Sequence, residues 1–393
     1  MLQLHWGNEA TLQDKDTIGG LMAELMTRGT TKKSFQEIND LEDKLKAHIS
    51  FDGSADGLTV HLDTERDQLA GAIALVGELL RSPAFADKEL AVLREERLAG
   101  LERELKDPNA IAGITLEQLA NKWPKSDPRY VATPAESIAD IKRVTAGDIR
   151  QFYRDFASGE HGELAVVGDF VPADVTAAFD AMLSGWTTKK PYARLVNKNW
   201  DVPGGQKSID IKDKEQTAVA FGEAFAMRDS SPDYAPLEMM SRILGGDAGS
   251  RMWMRLREHE GLSYGVGCEV SASAFDDFGW FGGFAIVAPQ NLAKAKASLL
   301  DEIQNIANGV DDKELQRVKT AWSKELDTYL SDDDAVTSLL ARQTFRGRTL
   351  EYTAQLRAKI NAVTTADVQR VAKQFLVTGK LLLVDAGDVA KSK

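Results

Sequence analysis

The chain has 393 residues, 43% of them hydrophobic and 27% charged, with a formal net charge of −12. This is the composition of a globular protein with its own core, long enough for about two or three ordinary domains, and its acidic balance argues against nucleic acid or an anionic membrane as partner, since both need a basic face. The lone Cys268 excludes an internal disulfide framework and a multi-cysteine metal site.

In chain order, "MLQLHWG" reads as a strand and "IGGLMAELMTR" as a helix stopped by Gly29. Ser34 and Glu37 form a capping box for a helix whose Phe35, Ile38, Leu41 and Leu45 make one stripe. "HISFDGSADGLTVHLD" predicts a hairpin around Asp56-Gly57, with His61 pointing away from the apolar alternation of Leu58, Val60 and Leu62. Helices follow from about Arg66 to Arg81 and Asp87 to Lys106, then the helix "IKRVTAGDIRQFYRDF" and the apolar run "GELAVVGDF". The Gly/Pro/Lys-rich stretch from Thr187 to Lys207 reads as a linker.

Beyond the linker, "QKSIDIKD" and "TAVAFGEAFA" are strand-like. Ser250 caps a helix with Met252 and Leu256 on one face, and Gly261 ends it. "LSYGVGCEVSASA" alternates and "FGWFGGFAIVA" returns as its hairpin partner. Two helices and the apolar run "GKLLLVDAGD" close the chain. No apolar run reaches membrane-spanning length, and "LAGAIALVGELL" is short and carries Glu78. The first residues show no basic region followed by an apolar stretch, so no signal peptide is visible; the compartment stays open, cytoplasmic or, with a signal on a preceding part, periplasmic.

The chain repeats itself. "FADKELAVLREERLAGLEREL" resembles "VDDKELQRVKTAWSKELDTYL", and "IKRVTAGDIRQFYRDF" resembles "INAVTTADVQRVAKQFL", in the same order in both halves. The expected organisation is a first repeat over 1–186, a linker over 187–207 and a second repeat over 208–393. The expected fold class is α+β, each repeat a mixed sheet covered by helices. The first repeat has one strand-like piece before its first helix where the second has two, so it is short of an opening strand, which another chain or a preceding part of the same polypeptide would supply.

Sites are sparse. The five histidines, His5, His48, His61, His161 and His259, share no helix face, and there is no G-x-S-x-G, paired Cys/His or Walker loop. In and just after "GSRMWMRLREHEGLSYGV", spacing puts Leu262, Tyr264, Val266, Cys268 and Val270 on one strand face, which makes Tyr264 a core residue and Arg257 a helix arginine paired with Glu260.

These residues resemble the pitrilysin/insulinase zinc peptidases and their relatives, the mitochondrial processing peptidases. The resemblance covers essentially the whole chain. "LGGDAGSRMWMRLREHEGLSYGV" is similar to the family's glycine loop, helix and R-x(6)-Y turn, and "DPRYVATPAESIADIKRVTAGDIRQFY" to its zinc-bearing repeat. It implies that two repeats form one half of a clamshell, with zinc in one half and an arginine and a tyrosine contributed by the other. The family's metal motif is H-x-x-E-H on the first helix, two imidazoles one turn apart with a glutamate base between them and a downstream glutamate as third ligand. Here Gly20 and Glu24 stand at the histidine positions and Ala23 at the base position, while Glu102, which could match the third ligand, reads as a solvated helix glutamate.

The resemblance therefore implies no metal site in this chain. Zinc would lie on a homologous H-x-x-E-H partner half, as a separate subunit or in the same polypeptide, and the isolated chain would be inactive. Arg257 and Tyr264 would contact the peptide substrate and stabilise the oxyanion of peptide hydrolysis, with the ring of Tyr264 on the core and its hydroxyl at the rim. Gly245, Gly246 and Gly249, which let the chain turn tightly before the helix, are secondary substrate-binding candidates. The alternative function is a catalytically inactive structural core subunit of a larger assembly, in which the Arg/Tyr pair is residual.

Overall fold

The alternating and helical stretches fold into two sheets, each with helices packed on it. The computed structural model describes residues 1–376 and 379–392. Its elements run β1 (Leu2–His5), α1 (Asp16–Met26), α2 (Phe35–Lys44), β2 (His48–Ser54), β3 (Gly57–Asp63), α3 (Leu69–Arg81), α4 (Asp87–Glu104), α5 (Pro108–Ala120), α6 (Pro134–Arg143), α7 (Ala146–Phe156), β4 (Gly162–Leu164) and α8 (Pro172–Leu183). They continue through β5 (Gly205–Asp210), β6 (Thr217–Phe225), α9 (Tyr234–Gly245), β7 (Ser263–Ala272), β8 (Gly279–Val287), α10 (Leu292–Asn305), α11 (Asp312–Tyr329), α12 (Asp333–Phe345), α13 (Glu351–Ala362), α14 (Thr365–Phe375) and β9 (Leu382–Gly387). No helix among the described residues is long and apolar enough to cross a membrane.

Two compact units result, and neither is contiguous in sequence. Unit one comprises Met1–Glu102, Trp123–Leu195 and Tyr329–Thr349, and unit two comprises Arg103–Lys122, Val196–Thr328 and Leu350–Lys393. Helix α12, from late in the sequence, thus belongs with the first sheet, and α5, from early in it, with the second. The units and the sequence repeats are different divisions of the chain.

In unit one the strands lie in the order β2-β3-β1-β4, with every pair antiparallel. The hairpin turn is Ala55-Asp56, one residue earlier than the sequence suggests. Trp6 fixes it there: its indole N–H donates to the Ala55 carbonyl at 2.9 Å and its backbone N–H to the Asp56 carbonyl at 3.0 Å. Gly57 serves a different need, since a Cβ there would lie 2.5 Å from the Leu4 carbonyl oxygen of the neighbouring strand. The Ser34/Glu37 capping box is formed, Ile38 is fully buried, and Phe35 stays at the rim under the Arg28 guanidinium, 5.3 Å from the ring centroid. His5 stacks on Phe345 of α12 at 4.6 Å.

Among the described residues strand β4 pairs only with β1. Met1 and Ala165 exchange backbone hydrogen bonds at 2.9 Å, and His5 N–H donates to His161 at the same distance. In an antiparallel ladder this alternation turns the backbone groups of Gly162 and Leu164 outward, where no strand of the described residues receives them.

The loop before α6 is tied by charge. Arg129 lies over the Trp123 ring at 3.5 Å and pairs with buried Asp127 at 2.7 Å and with Glu9 at 2.9 Å. Glu136 closes the capping box of α6 with Thr133 and is also reached by the Lys125 ammonium at 3.1 Å and the Tyr130 hydroxyl at 3.1 Å. The Thr133 backbone N–H, aided by these donors against partial desolvation, holds the Glu136 carboxyl down to about 2.

In unit two the order is β5-β9-β6-β8-β7, with β5 parallel to β9 and the other pairs antiparallel. Strands β6 to β9 correspond to β1 to β4, and among the described residues β5 has no counterpart in unit one. One face of the sheet carries the core of Phe221 and Phe281 with α9, α10 and α14. The other receives α5, which starts with an Asp107 cap and Pro108 in the first turn and packs Ala112 and Leu116 on Ala218, Ala220, Leu382 and Val384.

Two outcomes follow from this arrangement. The folded pKa of Glu136 lies below its ordinary value of 4.5, so its stabilising contribution is complete above pH 4.5 and is lost as pH falls toward about 2. Glu136→Gln should flatten the acid-unfolding curve across that window while costing about 1 kcal/mol at neutral pH through the weakened cap, measured by urea unfolding at a series of pH values. A chain severed between Leu195 and Val196 separates α5 from its sheet and α12 from the first sheet. Neither fragment alone should melt cooperatively by circular dichroism, and co-expression of the two should restore the transition.

Candidate functional site

The stretch after α9 is built for close packing. A Cβ at Gly245 would lie 2.5 Å from the backbone nitrogen of Cys268, and one at Gly246 2.8 Å from the Cα of Arg242. Gly249 faces the Arg317 guanidinium, whose partner Asp247 also accepts the Gly249 N–H at 2.9 Å. None of the three glycines has a positive φ. They are small to let the helix end touch β7 and to fit an ion pair, not to permit an unusual turn.

The following helix departs from α geometry. Residues Trp253–His259 form a π-helix, with Leu262 N–H reaching back to the Leu256 carbonyl at 2.7 Å and Glu260 N–H to Arg255 at 2.9 Å. Met252 and Leu256 are fully buried, as their spacing predicts. Ser250 does not cap with its side chain; its hydroxyl is buried without a partner, and its backbone carbonyl accepts from Met254 instead. Gly261, at φ +61°, ends the segment in the left-handed region.

The wider helix redistributes its cations. Arg251 is held by Glu314 at 2.7 Å, and Arg255 by Glu260 at 2.9 Å, Glu302 at 2.9 Å and Asp301, which push its guanidinium pKa up. Glu260 is therefore taken by Arg255, with Ser298 donating to it at 2.8 Å, and is not the partner of Arg257. Arg257 instead lies over the Trp253 ring at 4.3 Å, with Glu258 no nearer than 4.0 Å. Trp253 is steadied by its own indole N–H, which donates to Glu258 at 3.2 Å.

Tyr264 is not a core residue. It is 60% exposed, although Leu262, Val266 and Val270 on the same apparent face are buried. A β-bulge breaks the alternation: Ser263 pairs with Val287 and Gly265 with Ile286, leaving Tyr264 as the extra residue. Ser263 pins the bulge. Its hydroxyl accepts the Gly265 N–H at 3.1 Å and lies within donating distance of the Gly265 and Ile286 carbonyls, at 2.7 and 2.9 Å. Ser263 was not legible as a positioning residue in the sequence; a serine just ahead of a tyrosine that breaks an apolar alternation is the signal it leaves. No hydrogen bond or ring contact joins Arg257 to Tyr264 here. Cys268 supplies no nucleophile, because burial pushes its thiol pKa up and Sγ is engaged with the Ser241 carbonyl at 3.4 Å.

At the place of the family's metal motif, the residues of α1 do not fit zinc. Gly20 offers no donor, Ala23 is fully buried, and the Glu24 carboxylate is clasped by Arg97, whose Nε lies 2.9 Å from both oxygens. Glu102 is exposed. Among the described residues no group of three or more His, Cys, Asp or Glu is placed to hold a metal ion.

Residues 143–321 match the family model of the peptidase M16 inactive domain. The chain is 27% identical over 279 residues to the non-peptidase homolog YmxG of Helicobacter pylori; the match covers 67% of this chain and spans 60% of the length of that protein. It is 24% identical over 398 residues to the mitochondrial-processing peptidase subunit beta of Dictyostelium discoideum, covering 94% of this chain and 81% of that one. Its fold is that of the peptidase M16 inactive domain from Pseudomonas fluorescens, with a TM-score of 0.83 at 20% identity over 98% of this chain and 92% of the other. With its repeated sheets and the residues that stand on α1, the chain has the fold of, and over residues 143–321 the sequence signature of, the peptidase M16 inactive domain.

Proposed function

We propose that this chain is the zinc-free half of a two-part peptidase. It closes over a peptide bound with a homologous partner half that carries H-x-x-E-H and the zinc, and it presents Arg257 and Tyr264 to the substrate. The observation that carries the reading is the bulge at Tyr264. Extruding an aromatic side chain from a strand whose neighbours are buried forgoes apolar burial worth about 2 kcal/mol, and Ser263 spends its hydroxyl on holding that conformation. A tyrosine whose role was to fill the core would not be placed this way. Arg257 is the segment's arginine least bound by carboxylates, held by a ring it can leave. Peptide cleavage builds negative charge on the scissile carbonyl oxygen, and a phenol and a guanidinium brought to it in the closed complex stabilise that charge or hold the flanking backbone carbonyls.

A second reading, a structural core subunit without catalytic contribution, is favoured by the rest position of Arg257 on Trp253 rather than at Tyr264, and by the name of the Helicobacter pylori relative.

Kinetics separate the two. In the complex with the zinc-bearing half, Tyr264→Phe should lower kcat about 10²-fold, roughly 3 kcal/mol, while leaving the circular dichroism spectrum unchanged. Arg257→Lys keeps the charge and loses the planar fork, so it should also be impaired. If the pair positions substrate only, KM rises and kcat stays near wild type. Wild-type values of both constants in both variants would leave the core-subunit reading standing.

Assembly is tested independently. The isolated chain should hold no stoichiometric zinc by elemental analysis and cleave no peptide. Mixed with its homologous zinc-bearing half it should sediment as a specific complex, with an interface of about 1,600 Å² or more. About one tightly held zinc per isolated chain would refute the zinc-free assignment.

A further inference from the structure

Helix α5 covers only part of the outer face of the second sheet. Over β6 and β9 it is packed; beside it, over β7 and β8, a groove of about 940 Å³ stays open. Its floor is made of residues with little or no side chain. Rows across the sheet read Ser271–Trp280–Ala224, Glu269–Gly282–Gly222 and Gly267–Phe284–Ala220.

The glycines let two aromatic rings lie down on this floor. A Cβ at Gly222 would sit 2.1 Å from the Trp280 indole and one at Gly282 2.4 Å from its Nε1, so the indole rests flat across both strands. Phe284, 48% exposed, lies over Gly267, where a Cβ would be 3.5 Å from its ring, and reaches Gly265, the residue after Tyr264. The groove thus begins beside the bulge. Two carboxylates line the same groove as these rings, Glu269 on the strand wall and Glu117 on the helix wall, and among the described residues no lysine or arginine lines it. Among the described residues neither carboxylate has an ion-pair partner. The surrounding protein raises the Glu117 pKa by desolvation, although the side chain keeps an open side to water.

We propose that this groove binds a lysine or arginine side chain carried on an extended peptide, with the cation against the faces of Trp280 and Phe284 and Glu269 and Glu117 as its counter-charges. Exposed aromatic faces attract cations through the ring quadrupole, and an unpaired carboxylate beside them adds the opposite charge. The three sheet rows and the next, Gly265–Ile286–Ala218, extend about 20 Å, the length of roughly six extended residues, which suits a peptide better than a small organic cation. The subsite rests on the peptide-closing reading above and gives it a side-chain preference.

Equilibrium binding to the whole chain, without partner or hydrolysis, tests it. Fluorescein-labelled Gly-Ala-Ala-Arg-Ala-Ala-Gly is compared by anisotropy with the same peptide carrying citrulline, an uncharged isostere, in place of arginine. The arginine peptide should bind at least about tenfold more tightly. The preference should shrink in Glu269→Gln and in Glu117→Gln, vanish in the double variant, and weaken in Trp280→Leu. Equal binding of the two peptides, no binding of either up to millimolar concentration, or a preference that survives in the double carboxylate variant would overturn the proposal. Arginine amide alone binding as tightly as the peptide would overturn the peptide as occupant. If the arginine preference holds while Tyr264→Phe has no kinetic effect, the groove stands and the catalytic assignment falls; the reverse result separates them the other way.

Discussion

A sheet covered by helices on one face still has a second face to satisfy, and in unit two that task falls to the single helix α5. Its small and branched residues, Ala112 and Leu116, sit on an equally small patch of β6 and β9. The close fit explains why the strands beneath are rich in alanine, and it makes a segment near residue 110 a structural part of a sheet whose strands begin about a hundred residues later. Because one helix is narrower than five strands, β7 and β8 keep an open face. The bulge and Phe284 lie on strands that α5 leaves bare, and the groove runs between them and the helix, with Trp280 packed toward the α5 cluster.

The segment from Trp253 to Gly265 departs from regular geometry in two consecutive places, a π-helix and a β-bulge. Each inserts the equivalent of one residue into a periodic element and changes where the later side chains point. The first moves Glu260 to Arg255 and leaves Arg257 on an aromatic ring. The second turns Tyr264 outward. Both irregularities are held by specific hydrogen bonds, and a well-packed strand gains nothing in stability from exposing a tyrosine.

Much of the fold was legible because it rests on local chemistry. The capping boxes at Thr145/Asp148 and Thr364/Asp367 occupy matching places in the two repeats and are both formed, so the sequence likeness of those helices reflects the same N-terminal hydrogen bonds. That α1 carries no H-x-x-E-H motif was equally plain, since Gly20 offers no side-chain ligand, Ala23 no base, and Glu24 stands where the motif has its second histidine. What periodicity could not show is a break in periodicity. Alternation placed Tyr264 inside because it assumes a regular strand, and three-residue spacing paired Arg257 with Glu260 because it assumes an α-helix. The cover that α5 provides was hidden for another reason: its apolar residues read like those of any helix, and nothing local identifies the distant sheet they meet.

The uncovered side of β4 makes the molecule's behaviour in concentrated solution a matter of strand chemistry. An edge with outward backbone donors and acceptors is a template onto which any extended chain can add, and addition to a different edge of the next copy propagates without closing, as in a fibre. This edge is poorly suited to such growth. It is three residues long, contains Gly162, which has no side chain to interlock, and is followed closely by Gly168 and charged Asp169. A strand this short offers little template for fibril growth, because too few backbone groups are presented to hold a second copy in register.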